Sequence, residues 1–340
     1  MWDLLKHALE TIFQEQKTAN KKCESFKNTL LFFGCMDEQK QQKISFKEFY
    51  DKKYKALLAI PVLLIILSLI QIGYQIKTTG DFINKDVTLK GGITITIPTN
   101  KKINIRALED VLSKDFLYND VVVRSLIRSG RSAGIIISTD IDITNKKMVN
   151  KFISEIGRHI RMDLKEGDYS IEGIGSSLGA SFFRETFRAI IIAFVFMGIV
   201  VFIYFRNPIP SLAVIAAAAS DMIITLSIVN VMGMRLGTAG IAAFLMLIGY
   251  SVDTDILLTT RVLKRREGVL IERILGAMKT GLTMTATTIV AVSVAMIVTD
   301  SEVIRQIMTI ILIGLTVDIM TTWILNVGIL RMYLERKHEP

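Results

Sequence analysis

The chain has 340 residues, 51% of them hydrophobic, with 41 Lys and Arg against 32 Asp and Glu for a net charge of +9. That is too apolar for an ordinary soluble domain, and the apolar residues come in blocks, so composition and pattern both read as a membrane protein. The short basic stretches flank apolar spans, which fits anchoring and orientation rather than nucleic acid. Two cysteines, Cys23 and Cys35, and three scattered histidines, His7, His159 and His338, make neither a disulfide framework nor a metal site. No Gly-x-x-x-x-Gly-Lys-[Ser/Thr] loop is present, so neither nucleotide hydrolysis, a cofactor nor enzymatic activity is expected.

Residues 1–55 are polar and lysine-rich. Trp2, Leu5, Leu9 and Ile12 recur at helical spacing, with Leu4, Ala8 and Phe13 alongside. This reads as an amphipathic helix on the membrane surface or on a partner, or equally as a solvated helical tail. Met36, at the head of Asp37-Glu38-Gln39-Lys40, is a candidate start site. Ala56 to Ile76 carries no charge and is the first span, long enough to remain as an uncleaved anchor.

Residues 77–187 alternate charged and apolar residues and are long enough for a compact domain. Thr88 to Ile97 alternates with period two and ends at Pro98, a strand pattern. Ile103 to Phe116 is expected as a helix with Leu108, Val111 and Leu112 on one face. Asp120 to Ile127 and Ala133 to Ser138 are expected strands about a turn at Arg128-Ser129-Gly130-Arg131. Asn145 to Leu164 carries Met148, Phe152, Ile156 and Ile160 in helical register, and Tyr169 to Ile174 closes as a strand. The order β-α-β-β-α-β is the ferredoxin-like pattern.

Five further apolar runs follow, making six spans: Ala189 to Phe205, Ser211 to Asn230, Thr238 to Thr260, Gly281 to Thr299 and Gln306 to Leu330. The connection from Arg261 to Lys279 and the tail at 336–340 are rich in Lys and Arg, whereas residues 231–237 and 299–306 hold one Arg each. This bias predicts cytoplasmic termini and places residues 77–187 on the outer side of the membrane.

Four carboxylates fall inside these runs: Asp221, Asp253, Asp255 and Asp318. An ionised Asp in lipid costs roughly 2.5–3.5 kcal/mol on insertion scales, so such residues mark ion or proton paths by default. Residues two apart on a helix point about 200° from each other, so Asp253 and Asp255 cannot face one neighbour. Asp253, deeper and following Gly249, is the expected inward member. Asp255 is expected to face a partner or the cytoplasmic edge. Thr280, Thr283, Thr287 and Ala291, with Thr288 beside them, and Gly314, Asp318, Thr321 and Leu325 form small or hydroxylated faces that suit close helix packing toward it. Ser251 belongs to the same polar group. For Asp221 and Asp318 a purely structural role is the stronger expectation.

These residues resemble the SecF family, the smaller partner in the SecD–SecF protein-export complex, with the archaeal branch the nearest in pattern. The resemblance covers residues 56 to about 335. It is carried by Gly91-Gly92 after the first span, by Ile174-Gly175-Ser176-Ser177-Leu178-Gly179 before the second, by Asp221 in the third, and by Gly249-Tyr250-Ser251-Val252-Asp253 with Arg261 beyond. Asp253-Thr254-Asp255 stands where the bacterial SecF signature has Asn then Asp, and Asp253 matches the SecD version of the motif better. The family's fifth-span arginine is not matched, Lys279 being the nearest cation. The resemblance implies a six-helix bundle of the resistance-nodulation-division type with one external ferredoxin-like domain. It further implies SecD and a SecY-type channel as partners, unfolded exported polypeptide as client, and use of the proton gradient in late translocation. A scaffold that only holds SecD to the channel and a small-molecule exporter are the competing readings.

Overall fold

The computed structural model describes residue 50 and residues 53–338, except 100, 102, 117–119, 129–130, 166, 265–268 and 300. The amphipathic segment expected at the start of the chain, Met36 and both cysteines lie outside the described residues. Leu57–Pro340 form one compact unit.

Helix α1 (Ala59–Thr79) ends at Gly80, whose left-handed backbone (φ 78°) stops it. A short helical turn, α2 (Val87–Lys90), leads into β1 (Gly92–Pro98), α3 (Ile105–Asp115), β2 (Val121–Arg128), β3 (Arg131–Thr139), α4 (Lys146–Ile160) and β4 (Ser170–Ile174). The strands stand in the order β2-β3-β1-β4, every pairing antiparallel, which is the ferredoxin-like arrangement. One sheet face buries Ile93, Ile95 and Ile97 against Leu108 and Leu112 of α3 and Phe152 and Ile156 of α4. Phe116 meets Phe152 edge-on at 5.0 Å. Asn104 and Asn145 cap the two helices, their side chains accepting from the backbone N–H groups of Ala107 and Met148.

One element differs from the sequence reading. Residues 87–90 are a helical turn and not the start of the strand, because Gly91 (φ 86°) and Gly92 (φ 139°) redirect the chain just before β1. A side chain at Gly92 would collide with the Thr139 carbonyl, and one at Gly91 with the Ser176 backbone.

The chain then forms α5 (Ser176–Phe205), α6 (Pro208–Val231), α7 (Thr238–Leu263), α8 (Leu270–Val298) and α9 (Glu302–Met320). From α9 a π-helical segment (Thr321–Asn326) continues into α10 (Val327–His338). Six helices among the described residues are long and apolar enough to cross a membrane. Helices α5 and α8 start well before their apolar runs. Arg184, Glu185 and Arg188 end the uncharged stretch without ending the helix. The most apolar stretches of α6, α7 and the α9–α10 span are 56%, 56% and 50% buried, against 11%, 6% and 17% for those of the α1 span, α5 and α8. Helices α6, α7 and α9 therefore make the centre of the bundle.

The α+β domain is fastened to this bundle at two places. At the first, Gly179 of α5 lies so close to Gly91 that an added Cβ would sit 2.6 Å from the Gly91 nitrogen. The second is the connection between α6 and α7. Leu236 N–H donates to the Asn84 carbonyl (2.7 Å), and Asp86 N–H donates back to the Leu236 carbonyl (2.9 Å). Arg235 pairs with Asp120 of the domain at 2.6 Å.

Candidate functional site

Helices α6, α7 and α9 bring three of the four intramembrane carboxylates together. Asp221, Asp255 and Asp318 are each at most 1% exposed. Asp221 on α6 accepts from the hydroxyls of Ser251 on α7 and Thr321 in the π segment. Asp255 Oδ1 accepts from Asn326 Nδ2 at 2.7 Å and lies 3.0 Å from Thr322 Oγ1. The same Thr322 hydroxyl is 3.0 Å from Asp318 Oδ1. Asp318 also stands beside Asp221 and Ser251. The result is a continuous polar seam across three helices: Asn326, Asp255, Thr322, Asp318, Asp221 and Ser251. Among the described residues no lysine or arginine forms an ion pair with any of the three carboxylates.

The π segment explains why α9 supplies so many of these groups. A π turn widens the helix locally and is frequent at functional sites. Here it turns Thr321, Thr322, Trp323, Leu325 and Asn326 all inward. The neighbouring helices are held close by glycines. An added Cβ at Gly314 of α9 would strike Leu247 of α7, and one at Gly281 of α8 would strike Trp323 and touch Thr254.

The facing of α7 is the reverse of the sequence expectation. Ser251, Asp255, Leu258, Thr259 and Val262 are buried, a stripe at helical spacing, whereas Gly249, Tyr250 and Asp253 lie on the exposed face. Gly249 is not a close-packing glycine, since a Cβ there would meet nothing within 4 Å. With that anchor gone, the 200° offset puts Asp253 outward and Asp255 inward. The fifth-span hydroxyl face is also turned away. Thr283 and Thr287 are exposed and Thr288 is half-buried. All three donate to carbonyls of their own helix, at Lys279 and Met284. The inward side of α8 is instead Ile274, Ala277, Gly281, Thr285 and Val292.

The other motif residues have structural explanations. Gly91, Gly92 and Gly179 permit the close approaches described above. Gly175 caps α5 with an extended backbone, and a Cβ there would meet nothing within 4 Å. Arg261 donates to the Gly276 carbonyl (2.7 Å) while Arg273 donates to the Val262 carbonyl (2.9 Å), so the two clamp the α7–α8 hairpin. Sequence reasoning missed Thr322 and Asn326. Neither is charged, and a search of apolar runs for charge passes over an amide and a hydroxyl that lipid makes equally conspicuous.

Six apolar helices around a polar, carboxylate-bearing centre, with one ferredoxin-like domain inserted after the first, define a multi-pass membrane protein of the resistance-nodulation-division architecture. Residues 155–336 match the family model described as protein export membrane protein SecD/SecF, C-terminal. The chain is 41% identical over 291 residues to the protein-export membrane protein SecF of Methanocaldococcus jannaschii, covering 83% of this chain and 96% of that protein. It is 39% identical over 289 residues to SecF of Methanothermobacter thermautotrophicus, covering 84% and 94%. The fold is similar to that of SecDF from Thermus thermophilus, a translocon-associated membrane protein, with a TM-score of 0.63 at 17% identity. That match covers 84% of this chain and 38% of the longer SecDF chain. The chain belongs to the SecF family of protein-export membrane proteins.

Proposed function

We propose that this chain pairs with SecD beside a SecY-type channel and converts a transmembrane ion gradient into work on exported polypeptide late in translocation. The observation that carries this reading is the buried seam of Asp221, Asp255 and Asp318, which has no cationic partner among the described residues. A carboxyl in such a place can take up a proton or small cation from one side and release it to the other. Each unit charge moved is worth roughly 2.3 kcal/mol per 100 mV. The seam lies on α6, α7 and α9, and the connection between α6 and α7 is bonded directly to the α+β domain through Leu236 and Arg235. A change of charge state at the seam is thus one connection away from the domain, which we place on the outer side with both termini cytoplasmic.

The exposed face of α7 fits SecD as its cover. It presents Ala242, Met246, Gly249, Tyr250 and Asp253, on a helix that packs against α8, whose Thr283 and Thr287 are also open. A carboxylate left facing lipid is costly, and small and hydroxylated residues are what helix–helix contacts in membranes use.

The test is gradient-driven export by the SecD complex reconstituted in vesicles. Asp255→Asn should assemble with SecD yet lose the gradient-dependent part of export. Export at the wild-type rate by an assembled Asp255→Asn complex would leave the scaffold reading in its place.

A further inference from the structure

Away from the seam, α5 does not close fully on its neighbours. A groove of about 180 Å³ lies between α5, α6, the start of α7 and the connection after α1. Every side chain that lines it is apolar, among them Phe82, Phe183, Phe187, Leu226, Leu236 and Phe244. Its aromatic side is tightly built. Phe183 stacks on Phe187 with ring centroids 6.1 Å apart, and Phe82 meets Phe187 at 5.4 Å. Leu236 and Phe244 are buried while Phe187 is 39% exposed, so the groove has a closed floor and an open rim. Protein interiors leave few voids larger than a water molecule. An apolar cavity of about 150 Å³ stays dry and takes up hydrocarbon instead.

The rim carries charge. Arg184 and Arg188 directly follow Phe183 and Phe187, about 100° round α5 from them. Both are exposed, and among the described residues neither pairs with a carboxylate. Glu185 beside them is exposed too, so the three residues leave one net positive charge. Lys85, whose Nζ lies 4.3 Å from the Phe183 ring centroid, is already neutralised by Asp81 at 2.7 Å. We propose that the groove holds one hydrocarbon chain of an anionic membrane phospholipid, with the lipid phosphate bound by Arg184 and Arg188. Charge and place select this occupant. A phosphodiester carries one negative charge, and the arginine fork binds phosphate oxygens in pairs. The uncharged run of α5 begins at Ala189, so both arginines stand at the membrane boundary, where headgroups end and chains begin. Basic pockets between membrane helices take lipid headgroups in this way. A helix of SecD is the rival occupant, but the α7 face that fits SecD points elsewhere. Met246, Tyr250 and Asp253 lie on roughly the opposite side of that helix from Ile241 and Phe244, which line the groove. The lipid chain lies against the second fastening of the domain. Leu236 exchanges backbone hydrogen bonds with Asn84 and Asp86, and the Phe82 carbonyl accepts from Asn230 Nδ2 at 2.9 Å. A filled groove therefore braces the joint between the α+β domain and the bundle.

The experiment is native mass spectrometry of the purified full chain in detergent. The chain is incubated with phosphatidylglycerol, with phosphatidylcholine of the same chains, or with glycerol phosphate, which has the charge and no chain. One retained phosphatidylglycerol per protein is expected, at about fivefold or more the occupancy of phosphatidylcholine, with no retained glycerol phosphate. Arg184→Gln combined with Arg188→Gln should remove the preference for the anionic lipid. Leu226→Trp, which fills the groove, should lower retention of both lipids. Arg206→Gln, an exposed arginine at the other end of α5, should change nothing. Equal retention of the two lipids by the wild-type chain would overturn the proposal. So would an undiminished anionic preference in the double-arginine variant, whose exposed substitutions leave the fold intact by circular dichroism. Retention of glycerol phosphate as strong as that of the lipid would make this an anion site and overturn the role of the groove. Loss of the bound lipid on assembly with SecD would give the groove to SecD and overturn the lipid as its occupant.

Discussion

Phe152 in the α+β domain and Asp255 in the membrane bundle are both 0% exposed, and they are buried for opposite reasons. Phe152 sits among Ile95, Ile97, Phe116 and Ile156, where removing hydrocarbon from water is the driving force. The bundle has no such force, because its surroundings are as apolar as its side chains. Leu63 and Ile203 are 57% and 64% exposed on its surface, while Asp221, Asp255, Asp318, Thr321, Thr322 and Asn326 fill its centre. The domain is inside-in with respect to water; the bundle turns the rule over. In the first, a polar group at the centre would be a defect. In the second, polar groups at the centre bond the helices together.

Three measurements sharpen or break this contrast. The largest effect is expected in the domain: Phe152→Ala should cost about 3–5 kcal/mol of stability, read from thermal unfolding of the purified chain. A loss below about 1 kcal/mol would mean that the domain core is not close-packed around this ring. Thr322→Val should cost about 1–3 kcal/mol, because it leaves two buried carboxyls without their shared hydroxyl. It should also reduce gradient-driven export, which Phe152→Ala should affect only through the amount of folded protein. Equal effects of the two substitutions on export per folded complex would erase the distinction between the regions. The smallest effect is at the domain base. Asp142 accepts from the Thr144 backbone N–H (2.9 Å), from the Thr144 hydroxyl (2.7 Å) and from the Ser176 hydroxyl at the start of α5 (3.3 Å). These bonds hold its pKa below the ordinary 3.8, the Thr144 N–H contributing most. A depressed folded value stabilises above the unfolded pKa and is lost as pH falls through the folded one. The wild-type chain should therefore lose a small increment of stability below pH 3.8 that Asp142→Asn lacks, seen by melting over an acid series.

The domain was the more legible region. Its strands alternate with period two and its helices with period 3.6, and water punishes any other pattern, so Ile93, Ile95, Ile97 and Phe152 announce the core. Only the turn at 87–90 escaped, since a four-residue apolar alternation looks alike as strand and as helix. In the bundle the existence of the spans was plain from composition, but their rotation was not. Lipid tolerates Val, Leu and Ile on every face of a helix, so periodicity says little about which side looks inward. Gly249 and the Thr283–Thr287 stripe suggested close packing that the neighbours do not provide, and Gly281, Gly314 and the π segment supplied it elsewhere. The inward stripe Ser251, Asp255, Leu258, Thr259 and Val262 was present in the sequence, but its mixture of polar and apolar residues concealed it.

Helix α5 runs unbroken for 30 residues from Ser176 to Phe205, about 45 Å at the α-helical rise, whereas the hydrocarbon layer is about 30 Å thick. Its first turns therefore stand clear of the lipid, and the domain sits against them, Gly91 on Gly179, backbone upon backbone with no side chain to cushion the joint. Such a helix reaches in one piece from the lipid to the domain. A tilt of about 10° there would sweep its far end by several ångströms, since the helix is a few tens of ångströms long. A small tilt of α5 within the lipid would therefore reach the domain enlarged.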